Sequence, residues 1–191
     1  MGRPSVAVER RRQIIDAALR SMAIHGFAGT TLDRIAEVAG MARGHVRHFA
    51  GNRDELLTEA AKSFYFDGTD GRSLFPENET LAAALDYLFG GFVGPDEENV
   101  IALGFVEAAR VIPTIAVVVL SAYTGTQAAL TELIAAQHPD SSREAAEQVA
   151  YGVLTIALGN VFLSDIEAST VRTQAGRAAA ERLIASLVER P

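Results

Sequence analysis

Arg43, His45, Arg47 and His48 crowd a segment that offers only Val46, with Met41 just ahead of it, to an apolar core. A guanidinium can meet the edge of a guanine with two donors, and Arg or His can reach phosphate oxygens. These side chains suit recognition of a nucleic-acid duplex rather than bond-making. Other donors fit the same purpose. Thr31 stands beside the unpaired backbone N–H groups that open a helix, where a phosphate binds well. Arg53, at the start of a later helix, is placed to hold the next phosphate. Arg10, Arg11 and Arg12 form a basic run, and Arg3-Pro4 sits in an arm of the kind that enters a minor groove. Taken singly, each Arg reads more readily as a solvated surface charge; the cluster carries the reading. His45 and His48, three residues apart, would share a metal only against the charges of Arg43 and Arg47, with no carboxylate on the same turn.

Helices must position these groups. Ile15, Ala18, Leu19 and Met22 recur at three- and four-residue spacing, the buried stripe of a first helix that Gly26 ends. Thr30 with Asp33 resembles a capping box opening a second helix, with Leu32, Ile35, Ala36 and Ala39 facing inward. Gly40 supplies a tight turn. The third helix covers roughly 42–48, and Asn52 with Glu55 caps a fourth, whose core face is Leu56, Ala60 and Phe64. Two short helices meeting at a Gly turn are the frame that pushes one helix into a DNA groove. The stretch from Asp67 to Glu79 reads as a loop, and further helices follow at about 80–93, 97–111, 114–137, 142–164 and 170–189. The expected fold is all-α, with an N-terminal three-helix helix-turn-helix domain over residues 1–62 and a C-terminal helical domain over 63–191.

The net charge of −7 argues at first against a nucleic-acid partner, but its distribution reverses that. Residues 1–62 carry ten Lys or Arg against seven Asp or Glu, a net of +3; residues 63–191 carry seven against seventeen, a net of −10. A basic end on an acidic body orients the chain on a polyanion. No Cys is present, which removes disulfides, thiolate metal sites and Cys nucleophiles. No GxSxG, HExxH, GxGxxG or phosphate-binding Gly loop ending in Lys occurs, so no enzyme and no cofactor is expected. The strongly apolar run from Val111 to Ala122 is short for a membrane span, and no apolar signal region opens the chain. The expectation is a soluble cytoplasmic protein without a membrane partner. A helical protein-interaction module that has lost specific DNA binding is the alternative.

The stretch from Glu9 to about Phe64 resembles the N-terminal domain of the TetR family of transcriptional regulators. The matching features are IIDAAL at 14–19, HGF at 25–27, TTLDRIAEVAG at 30–40, RGHVRHF at 43–49 and NRDELL at 52–57. The resemblance implies an all-helical homodimer whose C-terminal domain carries a ligand pocket and the dimer interface. It also implies a repressor that leaves double-stranded DNA, at a palindromic operator, when a small-molecule effector binds. Where the family usually has Ser-x-Gly-Thr-Leu-Tyr, this chain has Ala42-Arg43-Gly44-His45-Val46-Arg47, so an Arg replaces the usual phosphate-contacting Tyr. Ala50 stands where Phe is common, and Asp33-Arg34 inverts the usual order of charges.

Within the C-terminal half, interior Gly152 and Gly159 lie on the stripe of Val149, Val153 and Ile156, and each interior Gly costs about 1 kcal/mol relative to Ala. That tolerance suggests close helix approach. With Ala175, Ala179 and Leu183 on the last helix, these residues are candidates for a four-helix bundle across a two-fold axis; ordinary packing within one chain is the alternative. Glu107, Arg110, Tyr123, Gln127, Tyr151 and Asn160 are polar groups inside apolar helices. Together with Phe89, Phe92 and Phe105 they would line a pocket for a mostly apolar ligand, or else face solvent or be satisfied in the core.

Overall fold

The computed structural model describes residues 6–66, 74, 80–91 and 97–187, and every regular element among them is helical. In chain order these are α1 (Val6–Gly29), α2 (Leu32–Ala39), α3 (Arg43–Ala50) and α4 (Arg53–Phe66). They are followed by α5 (Leu81–Asp86), continued by a π-helical turn (Tyr87–Gly91), then α6 (Glu97–Ala109), α7 (Pro113–Gln137), α8 (Arg143–Ile166) and α9 (Thr170–Ala185). The starts expected for the five later helices fall within one residue of those observed. Local chemistry sets them: Thr80, Ser142 and Ser169 cap α5, α8 and α9 by accepting from the N–H three residues on. Pro113 opens α7, where its missing N–H costs nothing.

Two compact units make up the chain, one from residues 1–67 and 100–120, the other from 68–99 and 121–191. In the first, α1 buries Ile14, Ala17, Ala18 and Met22, α2 adds Ile35, Ala36 and Ala39, and α4 adds Leu56, Leu57, Ala60 and Ala61. The buried stripe of α1 is therefore centred one residue before the expected one, with Ile15 and Leu19 half-buried. Phe105 of α6 is fully buried, its ring 5.7 Å from that of Phe64 and 6.0 Å from that of Tyr65. A side chain at Gly104 would collide with Met22, whose Sδ lies 2.8 Å from where a Cβ would sit.

The second unit has its own core. Leu81, Ala84, Leu85, Leu88 and Phe89 pack with Leu130 and Ile134 of α7, with Ala146, Val149, Ala150, Val153, Leu154 and Ala157 of α8, and with Ala180 and Ile184 of α9. By length and composition alone, α7 and α8 are apolar enough to cross a membrane, a property that core helices share.

Candidate nucleic-acid interface

The frame around α3 is built from backbone geometry. Gly26 breaks the helical path of α1 with φ 66° and ψ 178°, leaving one further turn to Gly29. Gly40 takes the left-handed conformation (φ 64°, ψ 33°) that ends α2, and its N–H bonds back to the Ala36 and Glu37 carbonyls. Thr31, not Thr30, caps α2: its hydroxyl accepts from Arg34 N–H at 3.3 Å. Thr30 is instead buried and donates its hydroxyl to the Gly26 carbonyl at 2.7 Å, so the cap expected at Thr30 falls one residue later, and Arg34 at the third position beyond it cannot complete a box. Asn52 and Glu55 form the reciprocal box expected for α4, with Glu55 N–H to Asn52 Oδ1 at 2.9 Å and Asn52 N–H to Glu55 Oε2 at 3.0 Å.

Within α3, Val46 and Ala50 are buried while Arg43, Gly44, His45, Arg47 and His48 are exposed. Ala50 is thus a small core residue at the end of the helix. No ion pair engages His45, Arg47 or His48 among the described residues. Arg43 donates from Nη1 to Asp33 Oδ2 of α2 at 3.1 Å, both side chains being well exposed. Thr31 is exposed at the start of α2.

Arg53 is placed differently from the phosphate contact expected of it. Its Nε donates to the Thr30 carbonyl at 2.6 Å and its Nη2 to the Phe27 carbonyl at 2.7 Å, with the guanidinium 4.6 Å over the Phe27 ring. It bolts the α1–α2 connection to α4. Of the basic run, Arg11 is committed to Glu59, with Nε to Oε2 at 2.7 Å; that hydrogen bond first, and the carboxylate charge second, raise the Arg11 pKa. Arg3 lies outside the described residues.

The candidate ligand residues do not converge. Phe105 is sealed in the first unit's core; Glu107, Arg110 and Tyr151 are exposed; Tyr123 and Gln127 are half-buried. Phe92 lies outside the described residues. Phe89 does line a cavity of about 490 Å³ in the second unit, with Gly90, Ser169, Thr170, Thr173 and Gln174. Asn160 is not among its lining residues; it is buried, with its Nδ2 donating to Thr173 Oγ1 at 3.2 Å. Sequence reasoning missed Thr173 and Gln174, because on a helix with little apolar contrast nothing marks them.

The interface candidates also divide. Val149 and Val153 are 6% and 0% exposed, enclosed by the chain's own core, and Gly152 admits Leu183 of α9, whose Cδ2 lies 2.4 Å from where a Cβ would sit. Ile156, Ala179 and Leu183 are half-buried, whereas Gly159 and Ala175 are exposed. The opposite side of α8 exposes Tyr151, Thr155, Gly159, Phe162 and Ile166, a stripe at helical spacing.

A basic helix held outward by a Gly-turned partner helix defines a helix-turn-helix protein. Residues 14–60 match the sequence model of the bacterial regulatory proteins of the tetR family. Curated relatives include the HTH-type transcriptional regulator BetI of Agrobacterium fabrum, 35% identical over 66 residues, which are 34% of this chain and 32% of that one. BetI of Burkholderia thailandensis is 48% identical over 48 residues, a quarter (25%) of each chain. This chain therefore matches a third or less of the length of those relatives. The fold extends further. A TetR transcription regulator from Haloarcula marismortui superposes with a TM-score of 0.73 at 19% identity, covering 94% of this chain and 98% of that one. A transcriptional regulator from Rhodococcus sp. Rha1 gives 0.71 at 15% identity, covering 94% and 96%. The multidrug binding protein EbrR, complexed with proflavin, gives 0.60 at 19% identity, covering 91% and 99%.

Proposed function

We propose that this protein is a sequence-specific DNA-binding transcriptional regulator, a repressor that a small molecule releases from a palindromic operator in the cytoplasm. The observation that carries the reading is the outward face of α3, where Arg43, His45, Arg47 and His48 are exposed on a frame fixed by Gly40 and Arg53. Residues 1–62 are assigned to DNA contact, with Thr31 and Arg3 as further phosphate or groove contacts, and residues 63–191 to ligand and dimerisation. The dimer forms through the exposed stripe of α8 with Val171 and Ala175 of α9, which sets two copies of α3 about one DNA turn, roughly 34 Å, apart. The cavity beside Phe89 and Thr173 is the effector site. Binding there lowers DNA affinity by as much as the ligand discriminates between the DNA-competent state and its alternative. A neighbour of the same fold is a multidrug binding protein complexed with proflavin, which makes proflavin the first compound to screen.

The test is binding of the purified protein to DNA from upstream of its own gene, against unrelated duplex of equal length, across a salt series. Saturable binding to the upstream DNA that falls steeply with salt supports the regulator reading. Salt-insensitive binding, or none, supports an interaction module instead. Arg47→Ala is expected to weaken operator binding about tenfold, within the 1–3 kcal/mol of a base or phosphate contact, and to leave thermal unfolding unchanged because Arg47 is exposed. Unchanged affinity in a gel-shift titration at moderate salt would remove Arg47 from the contact surface.

A further inference from the structure

The acidic residue Asp33 stands in the wrong place for a plain phosphate clamp. It lies in the first turn of α2, beside the exposed Thr31, and its carboxylate holds Arg43 of α3 by Nη1 at 3.1 Å. A carboxylate there repels phosphate and cancels one cation of the α3 face. Yet the bond takes Nη1 alone: the parallel Nε and Nη2 donors of Arg43, a pair able to meet the O6 and N7 edge of guanine, engage no described residue. We propose that Asp33 is a positioning residue that sets sequence specificity through Arg43. On unrelated DNA, where attraction to phosphate supplies nearly all the binding, Asp33 withholds that charge. At the operator it orients the guanidinium edge toward one base. Both side chains are exposed, so the pair acts on recognition and contributes little to folding.

The inference rests on the DNA-binding reading, and the experiment separates the two. Wild type, Asp33→Asn, Arg43→Ala, the double variant and Glu37→Gln are titrated on an unrelated 30-base-pair duplex (about three turns) at several salt concentrations. Each is also used to select sites from a randomised duplex pool. Freeing one cation for phosphate should steepen the slope of log affinity against log salt by about 0.9. It should also raise the affinity of Asp33→Asn for the unrelated duplex by on the order of fivefold at 0.1 M salt. The sequences that Asp33→Asn selects should be broader at one position. The gain should vanish in the double variant. Glu37→Gln, which removes an exposed carboxylate from the same helix, should not reproduce it. Unchanged affinity in Asp33→Asn, an equal gain in Glu37→Gln, or a gain that survives Arg43→Ala overturns the role of Asp33. If the wild-type protein binds neither duplex nor pool, the DNA-binding reading fails and this inference fails with it.

Discussion

On the proposed α8 interface, Phe162→Glu is expected to turn dimers into monomers and, with them, to remove the proposed tight operator binding while leaving the helical fold intact. α8 has two apolar sides. One carries Val149, Val153 and Ala157 into the chain's own core; the other leaves Tyr151, Phe162 and Ile166 at 61%, 55% and 72% exposure, and Val171 of α9 is 75% exposed. Large side chains gathered on one exposed face mark an interaction surface. A two-fold axis along that face would bring each Phe162 close to its copy, with Gly159 allowing the helix backbones to approach. A carboxylate there must be desolvated beside its own copy, at a cost of several kcal/mol. The dimer dissociation constant should therefore rise by about a hundredfold or more. Because two linked half-sites gain affinity by effective concentration, monomers should bind a palindrome on the order of a hundred- to ten-thousandfold more weakly. Sedimentation equilibrium with a gel-shift titration reads both effects, and circular dichroism should not change, since Phe162 is outside the core. A variant that stays dimeric would move the interface off this stripe.

The register of α8 shows where sequence reading stops. Periodicity groups residues that share a helix face but does not say which of two apolar faces turns inward. Val149, Val153 and Ile156 and the set Tyr151, Thr155, Phe162 and Ile166 are both plausible stripes, and a shift of two residues rotates the helix by about 200°. Only the packing of α5, α7 and α9 decides that Val149 and Val153 are enclosed. The α3 face was legible because its chemistry is one-sided, with Val46 the one apolar residue among the long donors from Arg43 to His48. The one-residue displacement of the cap from Thr30 to Thr31 has a similar origin. Two adjacent Thr offer the same side chain, and the left-handed break at Gly26 chooses by drawing the Thr30 hydroxyl to its own carbonyl. The candidate ligand residues scattered because a polar residue in an apolar helix signals either a pocket or solvent. Glu107, Arg110 and Tyr151 took the second course, while Asn160 is buried and satisfied by Thr173.

Arg53→Ala should destabilise the protein by about 2–3 kcal/mol, and its DNA phenotype should distinguish a bolt from a phosphate contact. The side chain satisfies two carbonyls in the segment joining α1 to α2, those of Phe27 and Thr30, and stacks over the Phe27 ring. Hydrogen bonds from a charged donor contribute about 1.5–3 kcal/mol each, and cation–π contact about 0.5–1 kcal/mol more. The total is less than their sum because water reaches the vacated carbonyls. For a chain of this length the melting temperature should fall by roughly 4–12 °C. Arg53→Lys should recover only part of the loss, because an ammonium cannot reproduce the planar fork. If Arg53 serves as a bolt, its loss lowers DNA affinity by loosening α2 and α3, and the salt slope of the folded variant stays where it was. If it instead holds a phosphate, stability stays near wild type and the slope falls by about 0.9. Calorimetry and a salt titration on one variant therefore decide between the two roles, and the bonds to Phe27 and Thr30 favour the first.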